Sequence, residues 1–361
     1  MKTIDKTMIS ALNDGVFPGA SLHVSVNYQT IYNKSFGSTH INDGKKISND
    51  TIFDLASLTK PLATSLVIMH LIQAGKLSLE QSLPEIFPEA SQKEKFPITV
   101  QHLLCHNSGL PDHRPYYKTL NHEPPKNRSK ILLKKILEEP LINSVGKKTV
   151  YSDLGFMLLA AIIKRISGYR LDNYINKFIY QPMTINDLFF IDLFKKNNFS
   201  NRVFAATENC PWRKKILMAE VHDDNAYSIG GICGHAGLFG TVKSVYYLLD
   251  DLLGIYHNHP SKKNVQQPLN RKWVQKLLTV PKNAERALGF DVPTPNKSSS
   301  GHYFSANSVG HLGFTGTSFW IDLERSIIVI LLTNRVHPRR DNTKIRKFRP
   351  MIHDIVMQSI I

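Results

Sequence analysis

The sequence of 361 residues predicts a mixed α/β protein whose antiparallel sheet is built from both ends of the chain. Near each end, apolar and polar side chains alternate as they do in half-buried strands. Between the two ends, apolar residues recur at the spacing of helices. We therefore expect a single domain with a sheet lobe at about 1–56 and 285–361, flanked by terminal helices. A helical lobe at about 57–284 would be inserted between them.

The N-terminal elements follow from short-range periodicity. Ile4, Met8 and Leu12 recur at helical spacing and predict a helix over 4–13. The alternating segments 20–28 and 29–37 predict two antiparallel strands. From residue 57 the pattern is helical again, and Gly75 ends it, as glycine commonly does.

The remaining elements complete the two lobes. Helices are predicted at 99–105, 129–138, 152–167, 171–179, 243–256 and 271–278. Strands are predicted at 308–313, 317–322 and 327–333, and the last is apolar on both faces, as a central strand is. A final helix covers 345–360. The polar stretches 118–130 and 256–268 favour surface loops.

Composition bounds the class of protein and its partners. Hydrophobic residues make up 42% of the chain, so global disorder is excluded. Lys and Arg total 45 against 29 Asp and Glu, and the formal net charge of +16 suits an anionic partner. No segment resembles a nucleic-acid-binding module, and none has the ~18–20 apolar residues of a membrane span. Three cysteines and an N-terminus without a signal-peptide pattern favour a reduced, cytoplasmic location.

The first chemical motif is Ser57-x-x-Lys60, at the start of the predicted helix. Residues three apart share a helix face, so the lysine amine can reach the serine hydroxyl. Serine becomes a good nucleophile when a nearby base takes its proton, and burial would lower the pKa of Lys60 towards that role. Pro61 suits a first helical turn, so Ser57 is expected at a helix N-terminus, where backbone N–H groups can hold an oxyanion. Alone, the motif is common by chance.

Two further motifs follow along the chain. Tyr151-x-Asp153 precedes an apolar helix, and His311-x-Gly313 lies on a predicted edge strand. Taken singly, Asp153 or Ser152 is a helix cap and Tyr151 an interfacial aromatic residue. The third motif alone is a glycine-rich turn with an exposed histidine.

In this order, the three motifs resemble the signature elements of the serine β-lactamase and penicillin-binding-protein superfamily. The chain is most similar to the class C β-lactamase-related serine hydrolases, which include esterases, D-aminopeptidase-like enzymes and peptidoglycan-fragment amidases. The resemblance also covers segments 53–60, 98–111, 234–239 and 320–322, and it spans about residues 16–335. It implies a serine hydrolase without a cofactor, and it is specific for the family but weak for the substrate.

The resemblance also implies individual roles. Ser57 would be the acylated nucleophile, Lys60 its proton partner, and Tyr151 a second general base or proton shuttle. The backbone N–H groups of Ser57 and Phe314 would form the oxyanion hole. Substrate contacts would come from Asp153, His311, Gly313, His222 and Asp223. For His222 and Asp223, a structural loop role is equally open.

Two departures from the family pattern affect this assignment. Asp153 stands where the family usually has Asn, so it would hold Lys60 protonated or orient it, and either changes which group is the base. His311 replaces the lysine that receives a substrate carboxylate in penicillin-recognising members, and a histidine is not always charged at neutral pH. The replacement weakens the case for β-lactams or free C-terminal carboxylates as ligands.

Other patterns carry less weight. His102, Cys105, His106 and His113 have spacings that suggest zinc, but the resemblance assigns the segment to structure, with His106 fixing the turn at 107–111. No metal site is therefore expected. The basic segment 339–349 favours a solvated helix face over an anion-binding surface.

The preferred hypothesis is a serine hydrolase that cleaves a small ester or amide through acyl-Ser57. The second is a peptidoglycan-fragment amidase or D-amino-acid peptidase, since such fragments are anionic and the chain is basic. The third is a catalytically silent binding or scaffold protein on the same fold. The sequence does not specify the acyl group, the leaving group or the oligomeric state.

Overall fold

The computed structural model describes residues 1–42, 44–90, 93–259, 266–295 and 298–361. The strands are β1 Gly19–Val26, β2 Gln29–Gly37, β3 Phe53–Asp54, β4 Leu188–Phe190, β5 Asn209–Cys210, β6 Lys215–Ile216, β7 Leu238–Gly240, β8 Ser308–Leu312, β9 Ser318–Asp322 and β10 Ile327–Thr333. The α-helices are α1 Lys2–Asn13, α2 Leu66–Gln73, α3 Leu83–Ile86, α4 Val100–Leu104, α5 Tyr117–Leu120, α6 Pro125–Glu138, α7 Asp153–Ser167, α8 Leu171–Ile175, α9 Asp224–Ser228, α10 Val242–His257, α11 Arg271–Leu278 and α12 Ile345–Gln358.

The main sheet joins the two ends of the chain. Its five strands lie in the order β2-β1-β10-β9-β8, and every neighbouring pair is antiparallel. β1 pairs directly with β10, so that Leu22 lies opposite Leu331. The predicted fold class, an antiparallel sheet from both termini with an inserted helical lobe, is confirmed.

Strand β10 separates two hydrophobic cores. Val329 and Leu331 face a smaller core that α1 and α12 complete. Ile328 and Ile330 face the larger core formed with the helical region. Since side chains alternate along a strand, β10 must be apolar on both faces, as its sequence predicted.

Most predicted elements are confirmed to within a few residues, but two predictions need correction. The predicted helix that starts at Ser57 begins with a 3₁₀ turn at Ala56–Leu58 and a π-helical turn at Lys60–Ser65, and α2 continues it. The predicted loop 118–130 is largely helical, since α5 ends at Leu120 and α6 already begins at Pro125, where proline suits a first turn.

The second predicted loop, 256–268, is only partly covered. Its first two residues still belong to α10, and residues 260–265 lie outside the described part of the chain. Within the described ranges, no helix has the length and apolarity needed to cross a bilayer.

Candidate active site

A cavity of about 710 Å³ lies where three parts of the chain meet. They are the helical segment that follows β3, the N-terminus of α7 and the end of β8. The cavity lining includes most of the site residues that the sequence predicted. They are Ser57, Tyr151, Asp153, His222, Asp223, His311, Gly313 and Phe314. Lys60 is fully buried next to Ser57. The structure therefore brings all of the predicted site residues into one region.

Ser57 follows a strained turn at the end of β3. Ala56 has a φ of +47°, a left-handed conformation that costs an alanine roughly 1–2 kcal/mol. The buried Asp54 carboxylate holds this turn, since Oδ1 accepts from the Ala56 N–H at 2.8 Å and Oδ2 accepts from the His222 N–H at 2.7 Å. This strained turn places Ser57 at the start of the helical segment, at the surface of the cavity.

The Lys60 amine has an acceptor for each of its three hydrogens. Nζ donates to Ser57 Oγ at 3.1 Å, to Asp153 Oδ1 at 2.8 Å and to the His235 carbonyl at 3.2 Å. Burial is the largest single influence and would lower the pKa of Lys60, but the interactions with Asp153 and Tyr151 together raise it above the usual value. Lys60 is therefore an ammonium group at neutral pH. Of the two sequence-based alternatives, the structure favours the one in which Asp153 holds Lys60 protonated.

Asp153 is the first residue of α7, whose N-terminus is capped by the Ser152 hydroxyl. Burial is the largest single influence and would raise the pKa of Asp153, but Lys60, His235 and His113 together lower it. Its second oxygen lies 3.7 Å from Nδ1 of the half-exposed His113, and Asp153 raises the pKa of that histidine. Asp153 is thus an anion with cationic or protonatable neighbours on both sides.

Tyr151 lies beside this ion pair. Its ring stacks on His106 at 4.6 Å between centroids, and Lys60 Nζ lies 4.6 Å from its ring centroid. His106 has a φ of +59°, and its Nδ1 accepts from the Ser152 N–H at 2.9 Å. These contacts join His106 to the start of α7, and its role in fixing the turn at 107–111 stays a prediction. On the other side, the Arg286 guanidinium lies 5.5 Å from the Tyr151 ring centroid.

The turn after β8 is attached to the residues that precede Ser57. Thr315 Oγ1 donates to the Asp54 carbonyl at 2.7 Å, and Thr317 Oγ1 donates to the Leu55 carbonyl at 3.1 Å. A Cβ on Gly313 would lie 2.7 Å from the same Leu55 carbonyl oxygen and 2.0 Å from Thr317 Oγ1. Only glycine permits this close approach, which explains the small residue in the third motif.

His311 is buried and neutral rather than exposed and charged. Burial and the nearby Lys60 ammonium lower its pKa well below the usual value. Nδ1 lies 2.9 Å from the Leu312 carbonyl, which can only accept, so Nδ1 carries the proton. Nε2 therefore has a free lone pair, and no partner for it lies within the described part of the chain.

A second ion pair, between the buried His235 and the partly exposed Asp223, borders the cavity. His235 Nε2 donates to Asp223 Oδ1 at 2.9 Å, and the same oxygen caps α9 by accepting from the Ala226 N–H. Burial would raise the pKa of Asp223, but the His235 imidazolium lowers it to about 2. Burial would lower the pKa of His235, but Asp223 raises it. Both groups are charged at neutral pH.

His222 lines the cavity and has partners within the protein. Its ring stacks on Phe314 at 5.5 Å between centroids, and Nε2 lies 3.3 Å from Glu208 Oε2. The contacts of His222 and Asp223 support a structural contribution from both residues beside any contact with substrate.

Possible metal ligands within the described residues form one cluster, Asp153, Asp223 and His235, with ligand atoms within 4.8 Å of one another. These atoms already pair with Lys60 and with each other. The histidines weighed for zinc have other contacts, and His102 Nδ1 accepts from the Thr99 N–H at the start of α4. We assign no metal to the site.

Sequence reasoning missed the arginines of this cavity. Its lining includes Arg286, Arg335, Arg340, Arg346 and Arg349. The interpretation of 339–349 as a solvated face holds for Arg339 and Arg346, but it is wrong for the buried Arg349. A signal existed: position 349 lies four residues after Ile345 and three before Ile352, on the apolar face of α12.

Comparisons with known proteins show the family and the fold of this chain. A family model described as Beta-lactamase matches residues 4–349. The chain is 32% identical over 359 residues to the N-acetylmuramyl-L-alanine amidase of Bacillus subtilis (strain 168), covering 89% of this chain and 78% of that protein. It is 30% identical over 361 residues to the "Putative D-alanyl-D-alanine carboxypeptidase" of Escherichia coli (strain K12), covering 91% and 81%. The solved structure of "EstCE1, a hydrolase with promiscuous acyltransferase activity" has a TM-score of 0.76 at 18% identity, covering 99% and 98%, a likeness of fold.

Proposed function

Because this chain belongs to the Beta-lactamase family and is a serine hydrolase, we propose that it cleaves a small ester or amide through an acyl group on Ser57. The observation that carries the proposal is the contact between the Lys60 ammonium and Ser57 Oγ at 3.1 Å, at the surface of a cavity. This contact favours a catalytic serine over the silent-scaffold alternative, because an ammonium with three acceptors fixes the hydroxyl orientation and stabilises developing negative charge on Oγ.

Tyr151 is the general base in this proposal. Lys60 is already protonated, so it cannot accept the serine proton in this state. Its ammonium, 4.6 Å from the Tyr151 ring centroid, would stabilise a phenolate. Ser57 Oγ attacks the carbonyl carbon, and Tyr151 takes the proton and passes it to the leaving oxygen or nitrogen as that bond breaks. Water then attacks the acyl group, and Ser57 regains its proton.

The tetrahedral oxyanion would lie between the N–H groups of Ser57 and Phe314. Two observations support this assignment. The Ser57 amide stands at the start of a helical segment, and the hydroxyls of Thr315 and Thr317 attach the Phe314 turn to the strand before Ser57. Both amides would therefore keep a fixed separation while charge develops on the substrate oxygen.

An amide of a peptidoglycan fragment is the substrate that this site supports best. Two relatives that match most of the chain bear amidase and carboxypeptidase names. Between those two activities, His311 favours the amidase. Its ring is neutral, so it does not supply the positive charge that a lysine at this position offers to a terminal carboxylate in penicillin-recognising members.

The test is a substrate comparison with the wild type and Ser57→Ala. The proposal predicts that the wild type hydrolyses p-nitrophenyl acetate and N-acetylmuramyl-L-alanine peptides, and that Ser57→Ala hydrolyses neither. Release of D-alanine from a D-alanyl-D-alanine peptide, without cleavage of the muramyl amide, would favour the carboxypeptidase instead. Activity retained by Ser57→Ala would overturn the proposal.

A further inference from the structure

Two arginines next to the third motif are buried without a carboxylate partner. Arg335 follows β10 and is 6% exposed, and Arg349 lies in α12 and is 7% exposed. Within the described residues, no carboxylate oxygen forms an ion pair with either guanidinium, in contrast to Arg340, which pairs with Glu208. A buried charge without a counterion is costly, so these two residues need another explanation.

Arg335 is bound almost entirely to carbonyl oxygens. Nε donates to the Phe314 carbonyl at 2.9 Å, and Nη2 donates to the same oxygen at 2.5 Å. Nη1 donates to the carbonyls of Arg340 and Asn342. The guanidinium carbon also lies 4.6 Å from the Phe314 ring centroid, while His222 stacks on that ring at 5.5 Å. Arg335 thus holds both the carbonyl and the ring of Phe314.

Arg349 binds the two residues at the ends of the same turn. Its Nη2 donates to the Gly313 carbonyl at 2.7 Å and to the Thr317 carbonyl at 2.9 Å. Gly313 and Thr317 are also joined to each other, since the Gly313 N–H donates to the Thr317 carbonyl at 2.7 Å. The two arginines therefore bind the backbone on both sides of the Phe314 amide.

From these contacts we propose that Arg335 and Arg349 are positioning residues that fix the Phe314 N–H in the oxyanion hole and supply positive potential to it. The inference rests on the proposed function, in which that amide receives the oxyanion. Planar guanidinium groups suit this task, because each can bind two carbonyls in a fixed geometry, which a lysine cannot do. Positive charge that no carboxylate neutralises favours the anionic transition state more than the neutral substrate.

Both guanidinium groups stay charged at neutral pH. Burial, together with the neighbouring Arg346, lowers the pKa of Arg335 to about 10. Burial, together with Arg335, lowers the pKa of Arg349 to about 9. The turn therefore carries two positive charges whose hydrogen bonds end on backbone carbonyls.

The test measures how fast Ser57 reacts with an alkyl fluorophosphonate, followed by intact mass. In this reaction the Ser57 Oγ–P bond forms, the P–F bond breaks, the serine proton goes to the base, and fluoride leaves. The P=O oxygen then occupies the oxyanion position. The rate therefore depends on the oxyanion hole, whatever the natural substrate is. For each variant, the limiting rate constant and the half-saturating probe concentration are determined separately.

Arg335→Met and Arg349→Met should lower the limiting rate constant about 10- to 100-fold, less than the 10²–10³ expected for loss of a whole oxyanion donor. The half-saturating probe concentration should stay within about twofold of the wild-type value. A general loss of folding would not produce this result. Arg349→Lys keeps the positive charge but lacks the planar guanidinium group that binds two carbonyls. It should recover part of the rate even if Arg349→Met does not fold. The matched control is Arg165→Met, which removes an exposed arginine paired with Glu89 and should react like the wild type.

Two outcomes overturn the inference, and they differ from each other. If folded Arg335→Met and Arg349→Lys react at the wild-type rate, the positioning role is wrong and acyl-Ser57 chemistry stands. If the wild type itself gains no adduct at Ser57, the proposed function fails and the positioning role fails with it.

Discussion

At the scale of single residues, the main finding is the charge state of Lys60. A buried lysine next to a serine is expected to lose its proton and act as a base. Here Asp153 lies 2.8 Å from Nζ and keeps the ammonium charged. The carboxylate of Asp153 therefore bears on whether Lys60 can act as the base.

Replacing Asp153 with asparagine tests this assignment. Without the carboxylate, burial dominates and the pKa of Lys60 falls, so its charge is lost at a lower pH than in the wild type. If the ammonium is required, the alkaline limb of kcat/KM should move to lower pH in Asp153→Asn, with reduced activity at neutral pH. The measurement is kcat/KM for p-nitrophenyl acetate from pH 5 to 9. Higher activity of the variant at neutral pH would instead identify Lys60 as the base.

The Asp223–His235 pair makes a separate prediction about stability. The pKa of His235 is raised on folding, so its contribution is complete below its unfolded value of about 6.5 and is lost as the pH rises through the folded value. Asp223, with a folded pKa of about 2, loses its contribution only as the pH falls below about 4.

His235→Gln should therefore be destabilised by about 1.5–3 kcal/mol near pH 5.5, the contribution of a hydrogen bond to a charged group. The difference from the wild type should shrink as the pH is raised to 8.5. Urea unfolding of both proteins at the two pH values checks this. A constant difference would show that the imidazolium charge does not contribute to folding.

Sequence reasoning at this scale identified residue types but not their states. Ser57, Lys60 and Tyr151 were found because their spacings resemble a known pattern. The neutral form of His311 depends on burial and on a carbonyl acceptor, which no spacing reveals. Arg335 escaped notice for a similar reason, since its partners are backbone carbonyls of a turn about twenty residues earlier.

At the scale of elements, the approach of the turn after β8 to the end of β3 forms the site. Gly313 is the closest point, because its α-carbon leaves no room for a side chain beside the Leu55 carbonyl. The strained turn at Ala56 and the third-motif turn are thus held against each other by backbone contacts.

Gly313→Ala should separate these two turns. The added methyl group would lie 2.7 Å from the Leu55 carbonyl oxygen, so we expect a loss of about 1–3 kcal/mol in unfolding free energy. We expect a loss of about 100-fold in kcat as the Phe314 amide moves. The control is Gly254→Ala in α10, where a Cβ meets only the His259 carbonyl at 3.5 Å. It should keep full activity and gain up to about 1 kcal/mol in stability. Equal activity of the two variants would contradict this account.

Long elements were predictable and short ones were not. Helices such as α7 and α10 and strands such as β10 contain enough residues for their hydrophobic periodicity to be recognised. Strands β3, β4 and β7, of two or three residues each, contain no readable period, and they form through pairing between distant segments. The small sheet that positions Ser57 was therefore absent from the sequence-based prediction.

At the scale of the whole molecule, the sheet unites the chain ends and the active-site elements. β8 supplies the third motif, β10 leads to Arg335, and α12 supplies Arg349, so the C-terminal region both completes the fold and supports the site. The formal net charge of +16 should attract anionic substrates.

A matched pair of esters tests that attraction. p-Nitrophenyl acetate is neutral, whereas the succinyl analogue has a free carboxylate. Raising the salt from 20 to 500 mM should lower kcat/KM about 3- to 10-fold for the succinyl ester, because salt screens long-range attraction. The acetyl ester should change less than twofold. Equal salt dependence of the two esters would show that the net charge does not steer substrates.

The central claim is that the reaction passes through an acyl group on Ser57. The most direct measurement is rapid acid quenching of the enzyme during turnover of p-nitrophenyl acetate, followed by peptide mass mapping. We expect an acetyl group on the peptide that contains Ser57 in the wild type and no such adduct in Ser57→Ala. Turnover without an adduct at Ser57, or an adduct that persists in Ser57→Ala, would contradict it.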